Sequence, residues 1–267
     1  MLRQLEQPSR RFQIVLMTVD MTELFGTTRS VVKGRYALIT RSGLVPSLLP
    51  GWEKAVCYML ISPALGARFS QLLITLEKDG QCAGNTGANQ YFVYVLEGAA
   101  SILLEARKHR LETGSYAYLP SGQDVQIASA APAARLLVFQ KKYQPLSDVP
   151  RPTGFASHER EVKGQPLRGN EDARVQSLLP GHPGFDMAVN ILTCQPGAAL
   201  PSVETPVMER GWMLLRGQGV FRLEADWHPV QTGDAIWTAP YCPQWFLAMG
   251  KTPASAIYYQ DVNRDLM

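Results

Sequence analysis

The sequence predicts an all-β protein made of two tandem jelly-roll barrels that arose by internal duplication. Three observations support this prediction. Short segments rich in β-branched and aromatic residues, such as YFVYVLEG, GSYAYLPSG and ARLLVFQKKY, recur along the chain. Turn residues separate them about every ten residues, a spacing typical of antiparallel sandwiches and barrels. The two halves of the chain repeat each other, and helical periodicity is nearly absent.

The duplication is visible without gaps over the strongest stretch of the repeat. YVLEGAASILLEARKHRLETGSYAYLPSG at 94–122 aligns with MLLRGQGVFRLEADWHPVQTGDAIWTAPY at 213–241. A constant offset of 119 residues pairs Gly98 with Gly217, and Thr113–Gly114 with Thr232–Gly233. Matching turn residues at a fixed offset predict that the same strand–turn unit is built twice.

The predicted organisation has three parts. Residues 1–20 form an N-terminal extension, residues 21–150 the first barrel and residues 151–267 the second barrel. The joint lies in QPLSDVPRPTGFASHEREVKG, which Pro and Gly interrupt. The segment NEDARVQSLLP, at 170–180, is predicted to form one or two helical turns.

Composition excludes several classes of function. The chain has 26 Lys and Arg against 23 Asp and Glu, and a net charge of +3 is too weak to indicate a nucleic-acid partner. No apolar run reaches the ~20 residues that span a bilayer, so no membrane partner is predicted. The N-terminus lacks the apolar core and cleavage site of a secretory signal. The four scattered cysteines, without a CxxC pair, indicate a cytoplasmic protein with reduced thiols.

The chain resembles a known family from about residue 26 to its end. The resemblance is carried by TRSVVKGRYALITRSGLVPSLLPGWE, LGARFSQLLITL and, in the second half, LLPGHPGFDMAVNILTCQPGAALP, LLRGQGVFRLEADWHPVQTGDAIW, PYCPQW and YYQDVNRD. These segments are similar to the (S)-ureidoglycine aminohydrolases, bicupins of allantoin and ureide breakdown also called glyoxylate-induced proteins. The resemblance implies two cupin barrels, the hydrolytic release of ammonia from ureidoglycine, and one Mn²⁺ in the second barrel.

The resemblance also implies where the metal ligands lie. The family pattern is Glu-x-His-x3-His on the strand that enters the barrel, plus a Gln from a later strand. Glu204 and Gln244 match it, but Pro206 and Arg210 stand where the two histidines belong. Pro206 has no side-chain donor, and Arg210 is a permanent cation. Manganese is therefore expected only if the family activity is retained, and otherwise no cofactor is expected.

The remaining positions implied by the family have changed as well. Its catalytic Lys falls at Gln260, and its two aromatic hydroxyls fall at Phe221 and Ala256. The first barrel offers no substitute, because the equivalent ligand positions are Asn85, Gly87, Tyr91 and Val125, and no two of the four histidines have metal-ligand spacing. No catalytic residue is therefore predicted.

Three functional alternatives remain open at this point. One is a manganese-dependent (S)-ureidoglycine aminohydrolase. Another is a metal-free site that binds a small carboxylate or ureide through Arg210, Gln244 and Gln260, beside Glu204 and Phe221, because guanidinium and amide groups match such ligands. The third is a non-catalytic structural protein. Cys242, close to Gln244 in sequence, is interpreted as a buried inert thiol rather than a nucleophile activated by Arg210. Self-association into a homo-oligomer is expected, since pairing covers exposed strand edges.

Overall fold

The computed structural model describes residues 28–264, so the predicted extension at 1–20 lies outside the described residues. Within this range the chain is all-β, as predicted, and three short 3-10 turns lie at Arg41–Gly43, Pro63–Leu65 and Glu159–Glu161. The strands of this range are β1 (Val31–Val32), β2 (Tyr36–Ile39), β3 (Pro46–Ser47), β4 (Trp52–Ile61), β5 (Phe69–Asn85), β6 (Asn89–Leu104), β7 (Arg107–Glu112), β8 (Ser115–Leu119), β9 (Asp124–Lys142), β10 (Phe155–His158), β11 (Gln165–Leu167), β12 (Asn170–Ser177), β13 (Met187–Cys194), β14 (Arg210–Arg216), β15 (Gln218–Leu223), β16 (Asp226–Gln231), β17 (Ala235–Thr238), β18 (Gln244–Met249) and β19 (Ala254–Asp261).

The predicted helical turns in NEDARVQSLLP are wrong. This segment forms β12, which pairs with β11 on one side and β13 on the other. Ala173 is buried in the second barrel and Val175 packs against the same core, so alternate side chains face inward. Two ladders of backbone hydrogen bonds and a buried face outweigh the modest helical preference of Glu, Ala and Arg.

The duplication appears in the backbone itself. Gly98 and Gly217 both have φ of 76°, in the left-handed region that glycine adopts without strain. Thr113 Oγ1 donates to the Gly98 carbonyl at 3.4 Å, and Thr232 Oγ1 donates to the Gly217 carbonyl at 3.2 Å. The matched sequence positions therefore build the same turn in each half.

The two halves exchange strands. One large sheet has the order β1-β2-β17-β14-β19-β13-β12-β11, and a smaller sheet has the order β16-β15-β18. The other large sheet runs β10-β8-β6-β9-β5-β4-β3, with β7 beside β6. Thus β1 and β2, from the start of the chain, extend the second barrel, and β10, which follows residue 150, extends the first. The predicted boundary at 150 does not coincide with sheet membership.

Three apolar cores follow from the alternation of side chains along these strands. One core fills each barrel, and a third lies between the two large sheets. On β19, Ile257 and Tyr259 face the core between the sheets, whereas Ala256 faces the interior of the second barrel. Gly211 lies against Phe69 so closely that a Cβ there would be 2.4 Å from the ring.

Charged side chains cross the interface between the barrels. We call Arg68, Lys141, Asp186, Glu209 and Asp261 the interface charge network. Lys141 Nζ lies 2.8 Å from an Asp261 oxygen and 3.3 Å from an Asp186 oxygen. Arg68 pairs with Glu209 at 3.1 Å and also with Asp261. Both cations come from the first half of the chain and all three carboxylates from the second, so the network joins the halves.

The structure contains no helix, over the range that it describes, that is long and apolar enough to cross a membrane.

Candidate functional site

The candidate site lies in the second barrel, where four chain segments meet. Glu204 and Gln244 form an isolated antiparallel bridge, with both N–O distances 2.8 Å. Arg210 begins β14 and lies directly opposite Gln260 on β19. Because cross-strand partners point to the same face of a sheet, their side chains meet. The structure thus brings together Glu204, Arg210, Gln244 and Gln260, four of the five residues predicted for the site.

The guanidinium of Arg210 occupies the centre of this site. Its Nη1 lies 2.8 Å from Glu204 Oε2, and its Nε donates to Gln260 Oε1 at 3.2 Å. The ring centroids of Trp212 and Tyr258 lie 5.8 and 5.7 Å from the guanidinium carbon, within the range of cation–π attraction. The Arg210 side chain is 14% exposed and that of Glu204 11%. The ion pair is therefore largely shielded from solvent and held from several sides.

A second arginine contacts the same carboxylate. Arg168 Nη2 lies 3.1 Å from Glu204 Oε1, and its side chain is 58% exposed. Arg168 lies in the turn between β11 and β12 with φ of 52°. Sequence reasoning missed this residue, because the turn is 36 positions from Glu204 in the chain and no motif connects them. Two cations on one carboxylate leave the site with a net positive charge.

Two buried donors at the site lack acceptors among the described residues. The Gln244 side chain is fully buried, and its Oε1 accepts from Thr238 Oγ1 at 3.5 Å, but its Nε2 has no partner. The indole Nε1 of Trp212, which stacks on Tyr258, also has none. An unsatisfied buried donor costs free energy, and an acceptor on a bound molecule would recover it.

Phe221, the fifth predicted site residue, lies in the apolar core of the barrel. Its ring packs edge-on against Trp212 at 5.5 Å and against Phe246 at 5.4 Å. Ala256 is buried in the same core. Neither residue brings a polar atom to the site. Phe221 contacts the site only through the ring of Trp212.

The side chains at the family's metal positions do not fit a divalent cation. Only Glu204 and Gln244 offer oxygen donors, and the two Glu204 oxygens already bind Arg210 and Arg168. Pro206 contributes only its backbone oxygen, which accepts from the Tyr241 amide at 2.7 Å. In residues 28–264 no three His, Cys, Asp or Glu side chains are grouped to hold a metal ion. Divalent ions require more oxygen or imidazole donors than this.

Cys242 is buried beside the site, in agreement with the interpretation as an inert thiol. Burial raises the pKa of Cys242 to about 11, and the negative charge of Glu224 adds to the effect. Arg210 is engaged by Glu204 and Gln260 instead.

A thiol-labelling experiment tests this property of Cys242. At pH 8 roughly one Cys242 in a thousand is expected to be thiolate, so labelling with iodoacetamide should be slow in the folded protein and fast in guanidinium chloride. The rate should rise about tenfold per pH unit toward pH 11, as the thiolate fraction does. Peptide mapping by mass spectrometry measures Cys242 separately, and rapid labelling at pH 8 would contradict the expectation.

Comparisons with known proteins agree with the resemblance in the sequence. No family model matches the chain. A probable (S)-ureidoglycine aminohydrolase from Oryza sativa is 36% identical over 255 residues, which cover 94% of this chain and 80% of that protein. The (S)-ureidoglycine aminohydrolase of Escherichia coli is 34% identical over 244 residues, which cover 89% of this chain and 93% of that protein.

Solved structures give the same result. Protein Ylba from E. coli superposes with a TM-score of 0.81 at 32% identity, covering 90% of this chain and 97% of that one. A putative glyoxylate-induced protein from Pseudomonas aeruginosa superposes with a TM-score of 0.83 at 29% identity, covering 90% of this chain and 93% of that one. Oxalate decarboxylase from Bacillus subtilis, at 13% identity and a TM-score of 0.67, shares the bicupin fold. The chain belongs to the (S)-ureidoglycine aminohydrolase family of bicupins.

Proposed function

We propose that the second barrel binds a small carboxylate or ureide without a metal ion, and that it does not catalyse manganese-dependent release of ammonia from ureidoglycine. The 2.8 Å ion pair between Arg210 and Glu204 carries this proposal. Both residues stand at positions where the family resemblance places metal ligands. A fixed guanidinium supplies there the positive charge that a metal ion would otherwise supply.

The charge at the site favours an anionic ligand over a cation. Arg168 and Arg210 flank the single carboxylate of Glu204. A divalent ion placed beside Glu204 would meet the repulsion of both guanidinium groups. A carboxylate would meet attraction, and the forked donors of a guanidinium match its two oxygens.

The unsatisfied donors favour a ligand that carries several oxygens. Gln244 Nε2 and Trp212 Nε1 are buried without an acceptor in the described part of the chain. A ureide with a carboxylate offers carbonyl and carboxylate oxygens to these donors and to Arg210, while its N–H groups can donate to Gln260 Oε1. Arg168 is exposed enough to move aside on entry and to close on the bound anion.

A binding titration tests this proposal with carbamoylglycine, which combines a ureido group with a carboxylate. Calorimetry should show saturable binding, and Arg210→Gln should weaken it roughly tenfold to a hundredfold, since hydrogen bonds to charged groups are worth ~1.5–3 kcal/mol. The matched control is Arg135→Gln, which removes the ion pair between Arg135 and Glu97 in the first barrel. This variant should bind carbamoylglycine as tightly as the unaltered protein does.

Two further measurements decide between this proposal and its alternatives. Elemental analysis of the purified protein should find manganese well below one ion per chain, and ammonia release from ureidoglycine should stay at the uncatalysed rate. A full complement of manganese with turnover would establish the hydrolase instead. A carbamoylglycine titration without heat or thermal shift, by contrast, would leave the second barrel with a structural role only.

A further inference from the structure

The first barrel contains a cavity of about 240 Å³ at the mouth of its interior. Long strands bound it, since β5 and β9 each contribute residues from both of their ends. The lining includes Trp52, Tyr91, Val93, Val138 and Gln140. This volume lies below the range of about 300–1,000 Å³ that is typical of sites for drug-sized molecules, so an occupant would be smaller.

This cavity occupies the same place in the first barrel as the candidate site does in the second. Tyr91 lies opposite Gln140 across β6 and β9, as Arg210 lies opposite Gln260 across β14 and β19. In the second barrel Arg210 and Glu204 form an ion pair at this position. In the first barrel Asn85, which corresponds to Glu204, turns instead to Asp124 at 2.7 Å and leaves the space open.

The walls of the cavity are apolar and face each other as two rows. Leu72, Val138 and Val93 are direct neighbours on β5, β9 and β6 and form one row. Trp52, Cys82 and Ile127 are neighbours on β4, β5 and β9 and form the other. The ladder breaks between Leu76 and Gln81, which lets β5 bend and contribute to both rows. A narrow space between two apolar rows suits a planar molecule.

The polar groups of the cavity are neutral. None of its lining residues carries a charge, so a charged ligand would lose hydration without gaining a counter-ion. Tyr91 and Gln140 line the cavity, lie opposite each other across β6 and β9, and are both half-buried. Burial raises the pKa of Tyr91, so the phenol remains a donor at neutral pH. Gln140 can both donate and accept.

We propose that the first barrel binds a neutral, planar small molecule of about one ring that carries an amide or hydroxyl group. The ring lies between the two apolar rows, and its polar group bonds to Gln140 and Tyr91. This site is separate from that of the second barrel, and it stands whether or not the second barrel binds carbamoylglycine.

Calorimetric titration with benzamide tests the proposal, because benzamide has one ring and one neutral amide. Saturable binding in the millimolar range or tighter is expected for a ligand of this size. Gln140→Leu should weaken it roughly twofold to tenfold through the lost hydrogen bond, and Val125→Phe should abolish it by filling the cavity. Gln218→Leu, the same chemical change at an exposed position of β15, is the matched control and should leave the affinity unchanged.

A charged analogue of benzamide and a ligand for the second barrel provide two further tests. Benzoate should bind at least about tenfold more weakly than benzamide, because the cavity offers no counter-charge. An excess of carbamoylglycine should not compete with benzamide. Equal affinity for benzoate, competition by carbamoylglycine, or no saturable binding of benzamide would each overturn the proposal. Thermal unfolding of each variant checks that its fold is intact. If Gln140→Leu and Val125→Phe are both folded and both bind benzamide as the unaltered protein does, the proposal is overturned as well.

Discussion

Replacing Lys141 with Met is expected to lower the free energy of unfolding by about 3–5 kcal/mol at neutral pH. The Lys141 side chain is 6% exposed and contacts Asp186 and Asp261, which are 0% and 7% exposed. Removing one member of a buried ion pair leaves its partner charged and without compensation. Here Asp186 loses its cation, and Asp261 keeps only Arg68, whose side chain is 39% exposed. Met keeps most of the apolar length of the side chain.

Urea denaturation followed by tryptophan fluorescence measures this effect. Lys33→Met is the matched control, because Lys33 pairs with Asp226 at 2.6 Å but both side chains are exposed. The control should shift the midpoint little, since exposed ion pairs contribute little to stability. Equal midpoints for the two variants would show that the interface charge network does not hold the barrels together.

The double variant Pro206→His/Arg210→His is expected to gain about one Mn²⁺ per chain. It removes the more buried of the two guanidinium groups on Glu204 and leaves Arg168, whose side chain is 58% exposed and can turn to solvent. It supplies two imidazoles beside the carboxylate and the Gln244 amide, a donor set suited to a divalent ion. The backbone for this set exists, because the bridge between Glu204 and Gln244 is formed with both N–O distances at 2.8 Å. Adding Gln260→Lys restores the catalytic Lys that the family places at this position.

Elemental analysis after manganese loading and gel filtration measures the gain, and ammonia release from ureidoglycine measures activity of the triple variant. Pro206→His alone is the matched control. It supplies one imidazole but leaves Arg210 on Glu204 at 2.8 Å, so it should bind no manganese. If the double variant also binds none and its fold is intact, the positions assigned to the metal site are incorrect.

The duplicated barrels could be predicted from sequence because glycine at a left-handed turn leaves a local signature. Gly98 and Gly217 sit at the same step of the repeat and take the same φ. The exchange of β2 and β10 left no such signature. Both strands are only four residues long, and neither β2, which is buried along most of its length, nor β10, which is half-buried throughout, alternates in exposure. Such a strand can pair with either barrel edge, and only the finished sheets decide between them.

The site was predictable in part. Glu204, Arg210, Gln244 and Gln260 were placed together through the family pattern, and the structure shows the contacts among them. Arg168 was not, because a turn residue reaches the site only through the fold. The interface charge network was missed for the same reason, since its members are scattered between residues 68 and 261.

The exchanged strands couple the two halves of the chain. Tyr36–Ile39 (β2) and Phe155–His158 (β10) are 119 residues apart, so the two traded strands are equivalent members of the repeat. Each pairs through backbone hydrogen bonds with a strand of the opposite half. Neither half can therefore unfold without breaking a strand pairing of the other.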